Sequence, residues 1–323
     1  MGGPRVRGVD ARGRALLDEV VSSIGVGGLV EEYTSAVIRG GLAFGEGPRW
    51  HEGRLWYSDF YRRAIYSMSA DGSDERIEHE VVTQPSGMGW LPCGDLLCVS
   101  MLDQKVLRFH ENEVSVFADI GEHCEFWANE MLVSSAGYSY VGSFGFDLDT
   151  RLKEMGIEAF LASPPPSTNL VVLDPEGHVV QVVPELEFPN GTVVTSDGAT
   201  LIIGETMGSR LTAFDVATNG TLSHRRVWAQ FEFTATDGMC LDADGQIWYA
   251  NALANQVSRV KEGGEVTATV TTTQHAFACM LGGDDRRNLY VMTAPTSDRF
   301  KIADVTRGRI EMVRVATPGA GEP

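Results

Sequence analysis

The sequence predicts an all-β fold: a six-bladed β-propeller with a short N-terminal helical extension. Three observations carry this expectation. Six near-equivalent strand-like runs occur, at 54–58, 95–100, 138–143, 199–204, 246–251 and 288–293. Five follow directly on a glycine turn, at Gly53, Gly94, Gly137, Gly198 and Gly245, and the sixth follows Gly282 and Gly283 by a few residues. Their starts lie roughly 40 to 60 residues apart, about the length of one four-stranded blade. A β-sandwich would not require such regular repetition.

Taken in order, 1–15 is rich in glycine and arginine. Leu16, Leu17, Val20, Val21 and Ile24 then recur at helical spacing until Gly25, Gly27 and Gly28 end the pattern. We expect one amphipathic helix in an extension over 1–32, capping the body, and a propeller over 33–323. A ring of blades needs closure, and 33–38 is the candidate strand that completes the last blade. Ahead of the repeated strands lie shorter apolar segments, such as 86–91 and 237–241, so each pair reads as a hairpin. Further strands follow, as at 105–109, 114–117 and 210–215. The longest gap, between the third and fourth repeats, holds 148–162 and Pro164, Pro165 and Pro166. It is expected to form a loop or short helix on one face, over the site.

Composition bounds the function. A chain of 323 residues can be one propeller, and 43% apolar residues with 36 glycines suit a globular fold with many turns. A net charge of -18 opposes nucleic acid, serves solubility and concentrates cations at the surface. The five cysteines are odd in number and lack a CxxC pair, so they read as reduced thiols rather than disulfides or a zinc site. The N-terminus has no signal-peptide pattern, and no apolar run approaches the roughly 18 residues of a membrane span. A cytoplasmic protein with no membrane partner is expected. The sequence sets no oligomeric state and is compatible with a homo-oligomer.

In a propeller the inner strands surround a channel, so residues distant in sequence meet at its end. Glu46, Asn129, Asn190 and Asp237 each precede or begin an inner strand. Two carboxylates and two amides make an all-oxygen donor set, suited to one divalent cation. Calcium comes first, with Mg2+, Mn2+ or Zn2+ as alternatives. Singly, each residue also reads as a turn or cap residue; the repeat is what groups them. His275, ahead of the sixth inner strand, is a candidate substrate-binding proton carrier, as is His123 ahead of the third. His51 lies near the first blade's turn. No Gly-x-Ser-x-Gly elbow, phosphate-cradling loop or dinucleotide fingerprint is present.

Several segments together carry a family resemblance. They are 45–50 (Gly-Glu-Gly-Pro-Arg-Trp), 85–88 (Pro-Ser-Gly-Met), Asn129-Glu130, 189–191 (Pro-Asn-Gly) with 196–198, 236–239 (Thr-Asp-Gly-Met) with 242–245, and 284–291. Over roughly 41–293 the sequence resembles the regucalcin/gluconolactonase group of six-bladed propellers. More distantly it is similar to paraoxonases and diisopropylfluorophosphatase. The resemblance implies a metal-dependent hydrolase acting on a lactone or related ester. It implies Glu46, Asn190 and Asp237 as metal ligands, and Asn129 beside the metal or substrate. It also implies Asp237 as catalytic nucleophile or general base. Phosphotriester hydrolysis and a calcium-binding regulatory propeller without turnover are the alternatives.

One departure bears on the substrate. Sugar-lactone members carry Arg-x-Asn-Asp where this chain has Trp127-Ala128-Asn129-Glu130. Trp127 and Glu130 are therefore expected at the substrate, and Asp147 falls where the resemblance places a substrate-binding acid. Phe126, Trp127, Phe144 and Phe146 crowd the region with aromatic surface, which points to a lactone less polar than an aldonolactone.

Overall fold

The structure is a computed structural model, and it describes residues 30–111, 113–163 and 166–320. The expected N-terminal helix over 15–24 lies outside the described residues.

Six sheets form the blades of a β-propeller. Blade 1 comprises Gly45–His51, Arg54–Asp59, Ala64–Met68 and Arg76–Glu80. Blade 2 runs from Pro85–Trp90 to Glu113–Asp119, blade 3 from Ala128–Val133 to Val179–Leu186, and blade 4 from Pro189–Val194 to Leu222–Gln230. Blade 5 comprises Thr236–Leu241, Ile247–Asn251, Gln256–Val260 and Val266–Thr271. Blade 6 takes His275–Gly282, Asn288–Ala294 and Gly308–Arg314 from the C-terminal end of the chain. Each repeated run of the sequence is the second strand of its blade. Apolar residues such as Leu55, Leu97, Val141, Ile203, Ala250 and Val291 pack between blades on these strands and are fully buried.

Closure differs from expectation. The candidate closing run is split at Ser35. Ala36–Leu42 pairs antiparallel with Gly308–Arg314 and completes blade 6. Glu31–Thr34 instead adds in parallel to Val266–Thr271, as a fifth strand on blade 5. The chain enters at the seam between two blades, so both outer edges are within its reach, and pairing with each satisfies backbone groups that an edge would leave open. Ser35 is buried there. Its hydroxyl donates to Glu311 Oε2 at 2.7 Å and to the Thr271 carbonyl at 3.1 Å.

The inner strands share one irregularity. In every blade the register against the second strand shifts, at Glu46/Arg49, Pro85/Met88, Ala128/Met131, Pro189/Thr192, Thr236/Met239 and Ala276/Ala278. A bulge bends its strand and re-aims one side chain. Small residues keep these bends close together. A Cβ on Gly191 would lie 2.4 Å from the Asp237 carbonyl oxygen, and one on Gly238 would lie 2.5 Å from Ala278 Cβ.

The gap after blade 3's second strand folds as two short helices, α1 (Leu148–Met155) and α2 (Ile157–Ala162). A third, α3 (Arg299–Ile302), occupies the matching connection of blade 6. The five cysteines form no disulfide; four are buried and Cys93 is exposed. Among the described residues no helix is long and apolar enough to cross a membrane.

Candidate metal centre and substrate cavity

Glu46, Asn129, Asn190 and Asp237 occupy corresponding bulges of blades 1, 3, 4 and 5, and all four line one cavity of about 280 Å3. Each is buried. The corresponding positions of blades 2 and 6 hold Ser86 and Phe277. The bulges thus set four metal-type donors, one hydroxyl and one phenyl ring around the channel.

Local hydrogen bonds orient the donors. Gly47 N–H donates to Glu46 Oε2 at 3.2 Å, and Ser86 Oγ donates to Asn129 Oδ1 at 3.3 Å. Asn190 Nδ2 donates to Thr206 Oγ1 at 3.3 Å, and that hydroxyl donates on to the Thr236 carbonyl at 2.7 Å. The Asn190 amide also hydrogen-bonds Asp237. Burial, then the charge of Asp237, pushes the Glu46 carboxyl well above the usual carboxylate range. Burial, then the charge of Glu130, does the same to Asp237. Among the described residues neither acid has an ion-pair partner: Arg49 offsets the Glu46 shift only in small part, because its guanidinium pairs with Glu130. This is the electrostatic signature of a place that suits a bound cation. The donors are all hard oxygens, which fits calcium, magnesium or manganese better than zinc. Among the described residues no three His, Cys, Asp or Glu side chains cluster as a metal site, so the set depends on its two amides.

Above this floor the walls are aromatic. Phe44 packs on Phe277 with centroids 4.8 Å apart and on Phe60 at 5.3 Å. Trp127 stacks on Phe126 at 4.5 Å, and Phe144 meets Phe188 edge-on at 4.8 Å. All of these line the cavity, and Leu148, Leu152 and Phe160 of the inserted helices line it as well. The insertion therefore covers the site as expected.

Three of the expected substrate residues, Glu130, His275 and Asp147, do not line the cavity. Glu130 follows Asn129 and turns away from the channel. It is buried and accepts from Arg49 Nη2 at 2.5 Å. Arg49 also donates to the carbonyls of Met88 at 3.0 Å and Met131 at 2.6 Å, so the pair ties blades 1, 2 and 3 together beside the floor. His275 likewise is not a lining residue. It pairs with Ala294 at the start of its strand, and Phe277 takes the lining position two residues on. His51 stacks on Trp90 at 3.8 Å, away from the cavity, and His123 does not line it.

Asp147, the third, touches the cavity wall only through Arg299. It caps α1 by accepting from Thr150 N–H at 3.1 Å. It also takes both terminal nitrogens of Arg299 at 2.7 Å each, and Arg299 is a lining residue. Trp127 lines the cavity as expected, with the Arg299 guanidinium 5.0 Å from its ring centre. Arg299 and Phe60 had no signal in the sequence. Phe277 could have been found by extending the inner-strand alignment to the sixth repeat.

The protein is thus a six-bladed β-propeller with an acid–amide floor beneath an aromatic cavity. The family model described as the SMP-30/gluconolactonase/LRE-like region matches residues 44–295. The chain belongs to that family. It is 23% identical to regucalcin of Xenopus laevis over 77% of this chain and 83% of that protein. It is 24% identical to regucalcin of Danio rerio over 57% of this chain, a match that takes in 60% of that relative's length. Among solved structures, a calcium-binding protein, regucalcin, from Agrobacterium tumefaciens superposes with a TM-score of 0.73 at 17% identity, covering 92% of this chain and 98% of that one. A gluconolactonase from Xanthomonas campestris superposes with a TM-score of 0.66 at 19% identity, covering 88% of each chain. At these identities the structural likeness concerns the fold.

Proposed function

We propose that the protein hydrolyses a lactone less polar than a sugar lactone, at a divalent cation held by Glu46, Asn129, Asn190 and Asp237. The observation that carries this reading is the pair of buried carboxylates, without an ion-pair partner among the described residues, set with two amides at the floor of an aromatic cavity. Calcium is the favoured ion on donor chemistry, and the names of the regucalcin relatives agree with it.

When bound, such a cation supplies Lewis-acid polarisation of the lactone carbonyl. The chain's own residues do the rest. The aromatic walls hold the apolar body of the substrate and exclude bulk water. Asn190, fixed by Thr206, keeps its amide against Asp237. Asp237 is the catalytic carboxylate, either taking a proton from the attacking water or attacking the carbonyl carbon itself. In the first route the water's oxygen bonds to the carbonyl carbon, the ring C–O bond breaks and the ring oxygen takes the proton. In the second the same bond breaks to leave an acyl–Asp237 intermediate, which a water then hydrolyses, and either route ends in the ring-opened hydroxy acid.

A panel of lactones tests the reading. Aryl- or alkyl-substituted lactones should be turned over with kcat/KM at least about tenfold above gluconolactone, the scale expected of a few well-packed apolar groups. Asp237→Ala should remove turnover while leaving the melting transition cooperative. Equal or faster turnover of gluconolactone would sink the substrate claim. Full activity in Asp237→Ala would sink the role of the acid.

A further inference from the structure

The aromatic walls fix the body of the ligand but say little about its far end, where Arg299 stands. Among the described residues lining the cavity it is the one cation. It begins α3 in blade 6 and reaches Asp147 and α1 of blade 3, the blade opposite in a six-membered ring. Both connections join the second and third strands of their blades, so they lie on the face where the inner strands begin, above the floor.

Its hydrogen bonds can be counted. Asp147 takes one N–H from Nη1 and one from Nη2, and Thr150 Oγ1 accepts the second from Nη2 at 2.9 Å. An arginine has five N–H donors in a planar fork. Among the described residues, Nε and the remaining Nη1 hydrogen have no acceptor within hydrogen-bond distance. The guanidinium lies 5.0 Å from the Trp127 ring centre and 4.8 Å from that of Phe300, and the side chain is 20% exposed. Its charge is already offset by Asp147, and Asp149 Oδ2 stands 3.8 Å from Nη1. The group therefore offers directional donors but little net positive charge.

We propose that Arg299 is a specificity-determining residue, held in place by Asp147. It donates a hydrogen bond to a neutral acceptor oxygen on the substrate, at the end remote from the Glu46–Asp237 floor. The substrate class is then an aromatic lactone carrying a second, uncharged acceptor such as a ketone, ether or hydroxyl across the ring. A carboxylate there would face Asp147 and Asp149 and gain little. The lactone at the floor end rests on the function proposed above; the acceptor at the far end does not.

The test is binding rather than turnover. Three non-hydrolysable aromatic cyclic ketones are titrated into the calcium-supplemented full chain by calorimetry: the parent, one with a methoxy group opposite the carbonyl, and one with a carboxylate there. The methoxy compound should bind roughly 10- to 100-fold tighter than the parent, the range for a hydrogen bond to a charged group, and the carboxylate no tighter than the parent. In Arg299→Met the ratio should fall to within about twofold. Asp147→Asn should lower it and Asp147→Glu restore part of it, which a merely structural role for Asp147 would not do. Equal binding of methoxy compound and parent, tightest binding of the carboxylate, a ratio that survives Arg299→Met, or no binding of any of the three overturns the proposal. The wild-type ratio decides even where a variant misfolds. If the ratio behaves as stated but no lactone is hydrolysed, the recognition proposal stands and the hydrolase reading fails.

Discussion

Glu46 and Asp237 are two buried carboxylates at the floor of one cavity, and Asp237 raises the Glu46 pKa by its charge. An acid whose pKa rises on folding stabilises the folded state below its ordinary range. It loses that contribution as pH climbs through the raised value. The window therefore opens above about pH 4, the ordinary carboxylate value. Chelated protein should lose stability through these two groups as pH rises from 5 to 8, and saturating calcium should reverse the loss, because binding requires the ionised ligands. Scanning calorimetry should show a calcium-induced rise in Tm that is larger at pH 8 than at pH 5; an equal rise at both would contradict the pairing. Asp237→Asn removes one of the two charges. We expect it to stabilise the chelated protein by about 1 kcal/mol, the usual scale when a strained functional group is relieved, and to abolish the calcium response. A lower Tm for the chelated variant would show that the two acids do not oppose each other. These residues were legible in the sequence because four repeats put a polar residue at one place. Glu130 and His275 were misplaced because the direction of a side chain beside a bulge cannot be read from strand alternation.

At the scale of the element, bulge, insertion and seam each carry part of the account. The bulges explain why corresponding residues of distant repeats converge, and they leave no local sequence mark beyond small neighbours such as Gly191 and Gly238. The insertion was visible as an overlong gap, but its latch was not: Asp147 and Arg299 stand 152 residues apart. The seam was half visible. A closing strand was expected from 33–38, but its division at Ser35 depends on a buried acid far along the chain. Glu311 accepts from Ser35 Oγ at 2.7 Å, Thr273 Oγ1 at 2.6 Å, Thr273 N–H at 3.0 Å and Thr293 Oγ1 at 2.9 Å. It thereby joins the N-terminal strands to blades 5 and 6. Glu311→Ala would strand these donors and should cost about 3 kcal/mol in urea unfolding. A loss under about 0.5 kcal/mol, the ordinary scale of a surface change, would show that the seam holds without it.

For the whole molecule, the ring brings both halves of a function to one place. The channel end supplies the donor floor, and the connections of blades 3 and 6 supply a roof with aromatic and hydrogen-bonding groups. The blade repeat made this architecture legible from turns and strand spacing alone. The cavity's contents were legible only in part, since Trp127 marked its aromatic wall and the sixth repeat could have marked Phe277, while Arg299 and Phe60 reach it through tertiary packing. The central claim, a divalent cation serving lactone hydrolysis, is tested most directly by following hydrolysis of an aryl-substituted lactone through chelation. The purified chain is stripped with chelator, desalted, assayed and titrated with calcium. The account predicts that turnover falls at least about a hundredfold on stripping, the scale of losing one preorganised electrostatic group, and returns with calcium at one ion per chain. Undiminished turnover in protein shown by elemental analysis to hold no metal would contradict it.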